Sequence, residues 1–155
     1  MKKIILLFVF CLLLNCGYEP IYSKKKLEKN YNFTINNIGF SGENNINQNI
    51  KNNLINYIGL EDRPIKYDLI INSTIKKSIT SKNKKGDPEI FSLKINIDLD
   101  VIENNQIKNK ISFSESFEYN NKPSKYELKK YEKNIKKNLS YKLSEKILQH
   151  LYSSK

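Results

Sequence analysis

Phe91-Ser92-Leu93-Lys94-Ile95-Asn96-Ile97-Asp98-Leu99-Asp100-Val101 is the stretch that decides the fold. Every odd position is apolar and every even position is polar, the period of a strand with one buried face. The same parity continues on both sides. Upstream, Tyr67, Leu69, Ile71, Ile75 and Ile79 alternate with Asp68, Asn72, Thr74, Lys76 and Ser78, Ile70 being the exception. Downstream, Ile107, Ile111, Phe113, Phe117 and Tyr119 alternate with Lys108, Lys110, Ser112, Ser114, Ser116 and Glu118. Three such strands predict an antiparallel run with one apolar face. Opposed residues share a face, so odd must meet odd. That predicts a three-residue loop, Asn104-Asn105-Gln106, with Asn105 or Gln106 left-handed. It sets Leu99 opposite Ile111, Ile97 opposite Phe113, Leu93 opposite Phe117, Phe91 opposite Tyr119 and Asp100 opposite Lys110. The segment Lys82 to Pro88 reads as a basic turn.

Outside the three strands the period changes. Phe33 to Ile38 reads as a further strand, and Gly39 and Gly42 bracket a turn. Glu43 to Ile58 reads as a helix, because Ile46, Ile50, Leu54 and Ile58 recur every four residues, and Gly59 is its stop. At the other end, Lys125 to Tyr152 reads as a long helix. Ser124 and Glu127 fit a capping box at its start. Tyr131, Ile135, Leu139, Leu143, Ile147 and Leu151 run down its apolar face. The element order is β-α-β-β-β-α. One apolar sheet face and two apolar helix stripes give an α+β two-layer sandwich. Both helices pack on one face of a mostly antiparallel four-stranded sheet, and the other face stays polar.

The chain begins differently. Lys2 and Lys3 precede an unbroken apolar run of eleven residues, Ile4 to Leu14. At about 1.5 Å per residue that run spans roughly 16 Å, too short for a bilayer core of about 30 Å. A positive start, a short apolar centre and a polar boundary predict an export signal over residues 1–15. Leu13-Leu14-Asn15-Cys16 resembles a bacterial lipobox. Asn15 departs from the usual small residue there. Cys16 is then the lipidation site, its covalent lipid being the sole attached group expected. More than one acyl chain is needed for stable anchoring, at about 0.8 kcal/mol per buried methylene. Gly17 stands where an Asp would favour inner-membrane retention, so an outer-membrane, periplasm-facing location is expected. Residues 16–32, with Lys24-Lys25-Lys26, read as a lipidated tether, and residues 33–155 as one domain.

Composition excludes much. The 155 residues contain 27 Lys+Arg against 16 Asp+Glu, for a formal charge of +11, and removing Lys2 and Lys3 with the signal leaves +9. A zinc site takes about four Cys or His ligands, and the chain has one His and two Cys. No metal site and no catalytic residues are expected. The carboxylates Glu43, Asp62, Asp68, Asp98, Asp100 and Glu115 have no base or metal partner at a readable spacing. His150 reads as a solvent-facing helix residue. The basic excess suggests nucleic acid. Against that stand export and the ratio of 26 lysines to one arginine, so no nucleic-acid partner is expected. Asn and Ile each occur 22 times and Ala is absent, a bias toward A/T-rich codons that accounts for part of the lysine excess.

Cys16-Gly17-Tyr18-Glu19-Pro20-Ile21-Tyr22 resembles the lipidated start of the LPS-assembly lipoprotein LptE family, with an aromatic residue after Cys-Gly and then a Pro-aliphatic-Tyr step. The element order, the mature length and the closing amphipathic helix also agree with that family. The resemblance implies a non-enzymatic outer-membrane lipoprotein that plugs LptD, a large β-barrel, and assists delivery of lipopolysaccharide to the outer leaflet. Its implied partners are that barrel, lipopolysaccharide and the membrane holding the anchor. A barrel interior is polar, and the polar sheet face with Asn72, Thr74, Asn96, Ser112, Ser114 and Ser116 fits such a partner. The loop Lys82-Asn83-Lys84-Lys85-Gly86-Asp87-Pro88 is the candidate contact site. Lys82, Lys84 and Lys85 could meet phosphates or acidic wall residues as flexible point charges. The competing reading is an outer-membrane lipoprotein serving another client in envelope assembly or transport.

Overall fold

The computed structural model describes residues 31–154. The predicted signal peptide, Cys16 and all but the last two residues of the predicted tether lie outside them. The elements are β1 (Phe33–Gly42), α1 (Asn44–Leu54), a 3-10 turn (Ile55–Tyr57), β2 (Ile65–Lys82), β3 (Pro88–Glu103), β4 (Gln106–Asn120) and α2 (Lys125–Ser153). One sheet has the order β1-β2-β3-β4. β1 and β2 are parallel, joined through α1, and the other two pairings are antiparallel. The α+β sandwich read from the sequence is the architecture found.

Parity explains the core. Leu69, Ile71, Leu93, Ile95, Ile97, Leu99 and Val101 are buried on one sheet face. They form one cluster with Ile46, Ile50 and Leu54 of α1 and with Ile135, Leu139, Leu143, Ile147 and Leu151 of α2. Both helices therefore lie on that face. The long helix starts as read, with Ser124 Oγ accepting from the Glu127 amide at 3.4 Å.

α1 is held by its surroundings. Six of its eleven residues are Asn, each a weak helix former. Its N-cap, Glu43, makes no side-chain cap. The Glu43 amide instead donates to Ser73 O at 3.1 Å. Ser73 Oγ donates to Asn47 Oδ1 at 2.7 Å, and Asn47 Nδ2 donates to Ser41 O at 2.9 Å. This buried clamp ties the helix start to β1 and β2.

Four boundaries differ from the sequence reading. β1 runs through Gly39 to Gly42, and only Gly42, at φ +85°, makes the turn. The first helix stops at Leu54, and Ile58 leaves it to bridge Ile35 in parallel. The β3–β4 connection is a two-residue turn, with Asn104 and Asn105 at φ 51° and 62° between the paired Glu103 and Gln106. A bulge between Val101 and Ile102 restores the parity that a two-residue turn breaks. The predicted pairs from Leu99–Ile111 to Phe91–Tyr119 all form, as does Asp100–Lys110. Ile107, however, pairs with Ile102 on the polar face and is exposed. Finally Tyr31, assigned to the tether, packs edge-on against Phe33, Tyr57 and Tyr152.

Candidate functional site

The sheet face opposite the helices is covered by no element among the described residues. Its cross-strand rows follow from the register: Asn72, Asp98 and Ser112; Thr74, Asn96 and Ser114; Lys76, Lys94 and Ser116; Ser78, Ser92 and Glu118. Side chains on its half nearest the Asn104-Asn105 turn bond to one another. Ser112 Oγ donates to Asp98 at 2.6 Å, Lys110 Nζ lies 2.7 Å from Asp100, and Asn37 Nδ2 donates to Asp68 at 3.0 Å. Ser41 Oγ bonds Asn72 at 3.1 Å. The exposed Ile70 and Ile107 interrupt this polar surface.

The basic loop is an ordered hairpin tip. Lys82 closes β2 opposite Pro88. Asn83 Oδ1 accepts from the Lys85 and Asp87 amides, both at 2.9 Å, and the Asn83 amide donates to Asp87 O at 2.9 Å. Gly86 supplies the positive φ of 88° that turns the chain. Lys82, Lys84 and Lys85 are exposed, and none joins the four ion pairs among the described residues. The structure thus gathers the three predicted lysines on one tip. It does not describe Cys16.

Other polar groups act within the fold. Lys77 sits on the apolar side of β2, where it interrupts the series Ile75–Ile79. It places Nζ 2.6 Å from Glu132 Oε1 and 4.0 Å above the Phe91 ring. Tyr119 Oη donates to the same Glu132 oxygen at 2.8 Å. Burial raises the Tyr119 phenol well above its usual range, and the Glu132 carboxylate adds to the rise. Burial also pushes the Glu132 carboxyl up, but the bonds from Lys77 and Tyr119 outweigh it and hold the group below its usual value. Lys108 is raised by its hydrogen bond to Glu103, 2.6 Å away. On the edge strand Glu115 pairs with Lys146 of α2 at 2.6 Å, and Lys146 also reaches Ser114 O at 3.4 Å. The lysine that breaks an apolar series was the sequence signal for the first cluster. Nothing in the sequence links Glu132 to it.

His150 is half-buried rather than solvent-facing. Its Nε2 lies 3.1 Å from Asn109 Nδ2 and its ring meets Phe113 edge-on. Among the described residues no group of three or more His, Cys, Asp or Glu could hold a metal. No described helix is long and apolar enough to cross a membrane.

No family model matches the chain, and no curated protein matches its sequence. Solved structures do match. The rare lipoprotein B from Shewanella oneidensis aligns over 77% of this chain and 96% of its own, with TM-score 0.59 and 15% identity. The chain has the rare lipoprotein B fold. Rare lipoprotein B is the LptE family, so the fold agrees with the resemblance carried by residues 16–22. A putative lipoprotein from Caulobacter crescentus aligns over 77% of this chain and 88% of its own (TM-score 0.54, 13% identity). A minor lipoprotein from Acinetobacter baumannii aligns over 76% and 90% (TM-score 0.55, 11% identity). The three proteins named are lipoproteins, in keeping with the lipobox-like Leu13-Leu14-Asn15-Cys16.

Proposed function

We propose that this protein is an outer-membrane lipoprotein, anchored through lipid on Cys16 and facing the periplasm, that plugs an LptD-type β-barrel and assists lipopolysaccharide assembly. The observation that carries the reading is the uncovered polar sheet face on a fold shared with lipoproteins. A soluble-looking domain with one hydrogen-bonding flat face suits the polar interior of a large barrel. The protein acts by binding, with no catalytic group, metal or cofactor, and nucleic acid is not its partner. The lysine tip offers Lys82, Lys84 and Lys85 to phosphates of lipopolysaccharide or to acidic wall residues. Lysine can serve there as a point charge without a fixed two-pronged geometry.

The test is a mild-detergent pull-down of the native lipidated protein with mass spectrometry of what accompanies it. A stoichiometric barrel of the LptD type supports the plug reading. No barrel from an intact, lipidated sample refutes it and leaves a lipoprotein with another client in envelope assembly or transport. Exchanging Lys82, Lys84 and Lys85 together for Gln should weaken lipopolysaccharide binding, and unchanged binding would remove the tip from the site.

A further inference from the structure

Lys76 and Lys94 face each other directly across β2 and β3 on the uncovered sheet face. Both are exposed. Like charges at directly opposed positions destabilise a sheet. Four lysines of the described residues, Lys77, Lys108, Lys110 and Lys146, each have a carboxylate at 2.6–2.7 Å, and Lys76 and Lys94 are not among them. Around Lys76 and Lys94 the neighbouring positions are Thr74, Asn96, Ser78, Ser92 and Ser116, all neutral. The nearest carboxylate on that face is Glu118, one row away and diagonal to Lys94. Asp68, Asp98 and Asp100 lie toward the opposite end of the face, each already bonded to Asn37, Ser112 or Lys110. In one half of the face the carboxylates Asp68, Asp98 and Asp100 are therefore bonded within the sheet, while the other half holds two adjacent cations with no carboxylate in their own row.

We infer that this half is the docking surface for a carboxylate-bearing patch on the inner wall of the barrel partner, with Lys76 and Lys94 as its paired anchors. The inference rests on the plug reading and specifies which face meets the wall and with what chemistry. The surface is an open sheet covered by no other element among the described residues, so it fits an extended wall better than a small enclosed anion. Hydroxyls and amides of Thr74, Asn96, Ser78, Ser92 and Ser116 surround the cations and can hydrogen-bond the same wall. An external carboxylate between the two ammonium groups would relieve a repulsion that the free protein carries, so the cost falls on the unbound state.

The experiment compares full-length lipidated wild type with Lys76→Glu, Lys94→Glu and Lys76→Gln. Two quantities are measured: the amount of barrel retained in the mild-detergent pull-down, and the thermal midpoint of each protein purified alone. Either Glu variant should retain at least tenfold less barrel, and Lys76→Gln should fall between. The midpoints of the Glu variants should equal or exceed the wild type's, because each turns a like-charged cross-strand pair into an opposite one. Reduced binding with a lowered midpoint throughout, Lys76→Gln included, would assign the effect to folding and overturn the inference. Wild-type retention in all three variants would overturn it while leaving the plug reading intact. A wild type that retains no barrel overturns the plug reading and takes the inference with it.

Discussion

Gly42→Ala should be far more damaging than its single methyl suggests. Gly42 has φ +85°, where an L residue costs about 1–2 kcal/mol. A Cβ built there lies 1.9 Å from Ser73 O and 2.9 Å from the Ser73 carbonyl carbon. Ordinary contact begins near 3.4 Å, so β1 and β2 must part locally by about 1.5 Å (3.4 − 1.9). The atoms that would move belong to the clamp on α1. The Glu43 amide would lose Ser73 O, at 3.1 Å, and the 2.7 Å Ser73–Asn47 bond would be broken or bent. Each lost bond costs about 1 kcal/mol net, more where a buried group is left unpaired. The sum is about 3–5 kcal/mol. Gly59→Ala is the control: φ is +70° but nothing lies within 4 Å of the added carbon, so only the backbone cost of about 1–2 kcal/mol applies. Urea unfolding in nonionic detergent, followed by far-ultraviolet circular dichroism, measures both. A Gly42→Ala penalty no larger than that of Gly59→Ala would refute the reasoning.

Three further outcomes follow from particular contacts. Asn105→Gly should stabilise the protein by about 0.5–1 kcal/mol in the same unfolding assay, because Asn105 is held at φ 62° in a two-residue turn that favours Asn-Gly. Ile97→Ala, at 0% exposure in the core cluster, should cost about 2–5 kcal/mol. Glu132 has a folded pKa below its unfolded value, so its contribution is present above about pH 4.3 and lost as pH falls through the folded value. Unfolding free energies of wild type and Glu132→Gln should therefore differ at pH 7 and converge as pH falls below the folded value, and a gap that stays constant down the acid limb would contradict the assignment. Tyr119 has the opposite sign: its raised phenol contributes fully below about pH 10 and loses that contribution only as pH climbs toward the folded value.

The sheet was legible because its physics is local and binary. A strand with one buried face must alternate, and three strands sharing a parity leave few registers. The β3–β4 turn departs from the sequence expectation for a physical reason. Unbroken parity excludes a two-residue loop. In the structure the Asn104-Asn105 turn is compensated by a bulge, and Ile107 alone lands on the wrong face. Periodicity has no term for such a correction. The helix overrun past Leu54 has another cause: Ile58 keeps the four-residue spacing while the chain has already turned to meet Ile35. At the candidate site, the lysine tip could be named from the sequence because it is contiguous. The Lys76–Lys94 opposition needed the β2–β3 register, and the Glu132 bonds needed the packing of α2 on the sheet.

Element length explains the remaining departures. At about 1.5 Å per helical residue, the eleven residues of α1 extend roughly 16 Å. At about 3.3 Å per strand residue, the eighteen of β2 extend roughly 60 Å. α1 can shield only part of β2, while the 29-residue α2 runs over β3 and β4. The far half of β2 is consequently exposed on both faces, with Ile79 47% accessible although its parity is that of the core. Phe117 is open for a related reason: it lies on the edge strand, with a neighbour on one side only. Lys77 shows how the fold manages this region, setting its ammonium over the Phe91 ring and against Glu132 of α2. The same length mismatch carries Lys82, Lys84 and Lys85 to a tip beyond the cover of α1. The lysine tip is thus a surface that the helices are too short to reach, whereas Lys76 and Lys94 are open because both helices pack on the opposite face of the sheet.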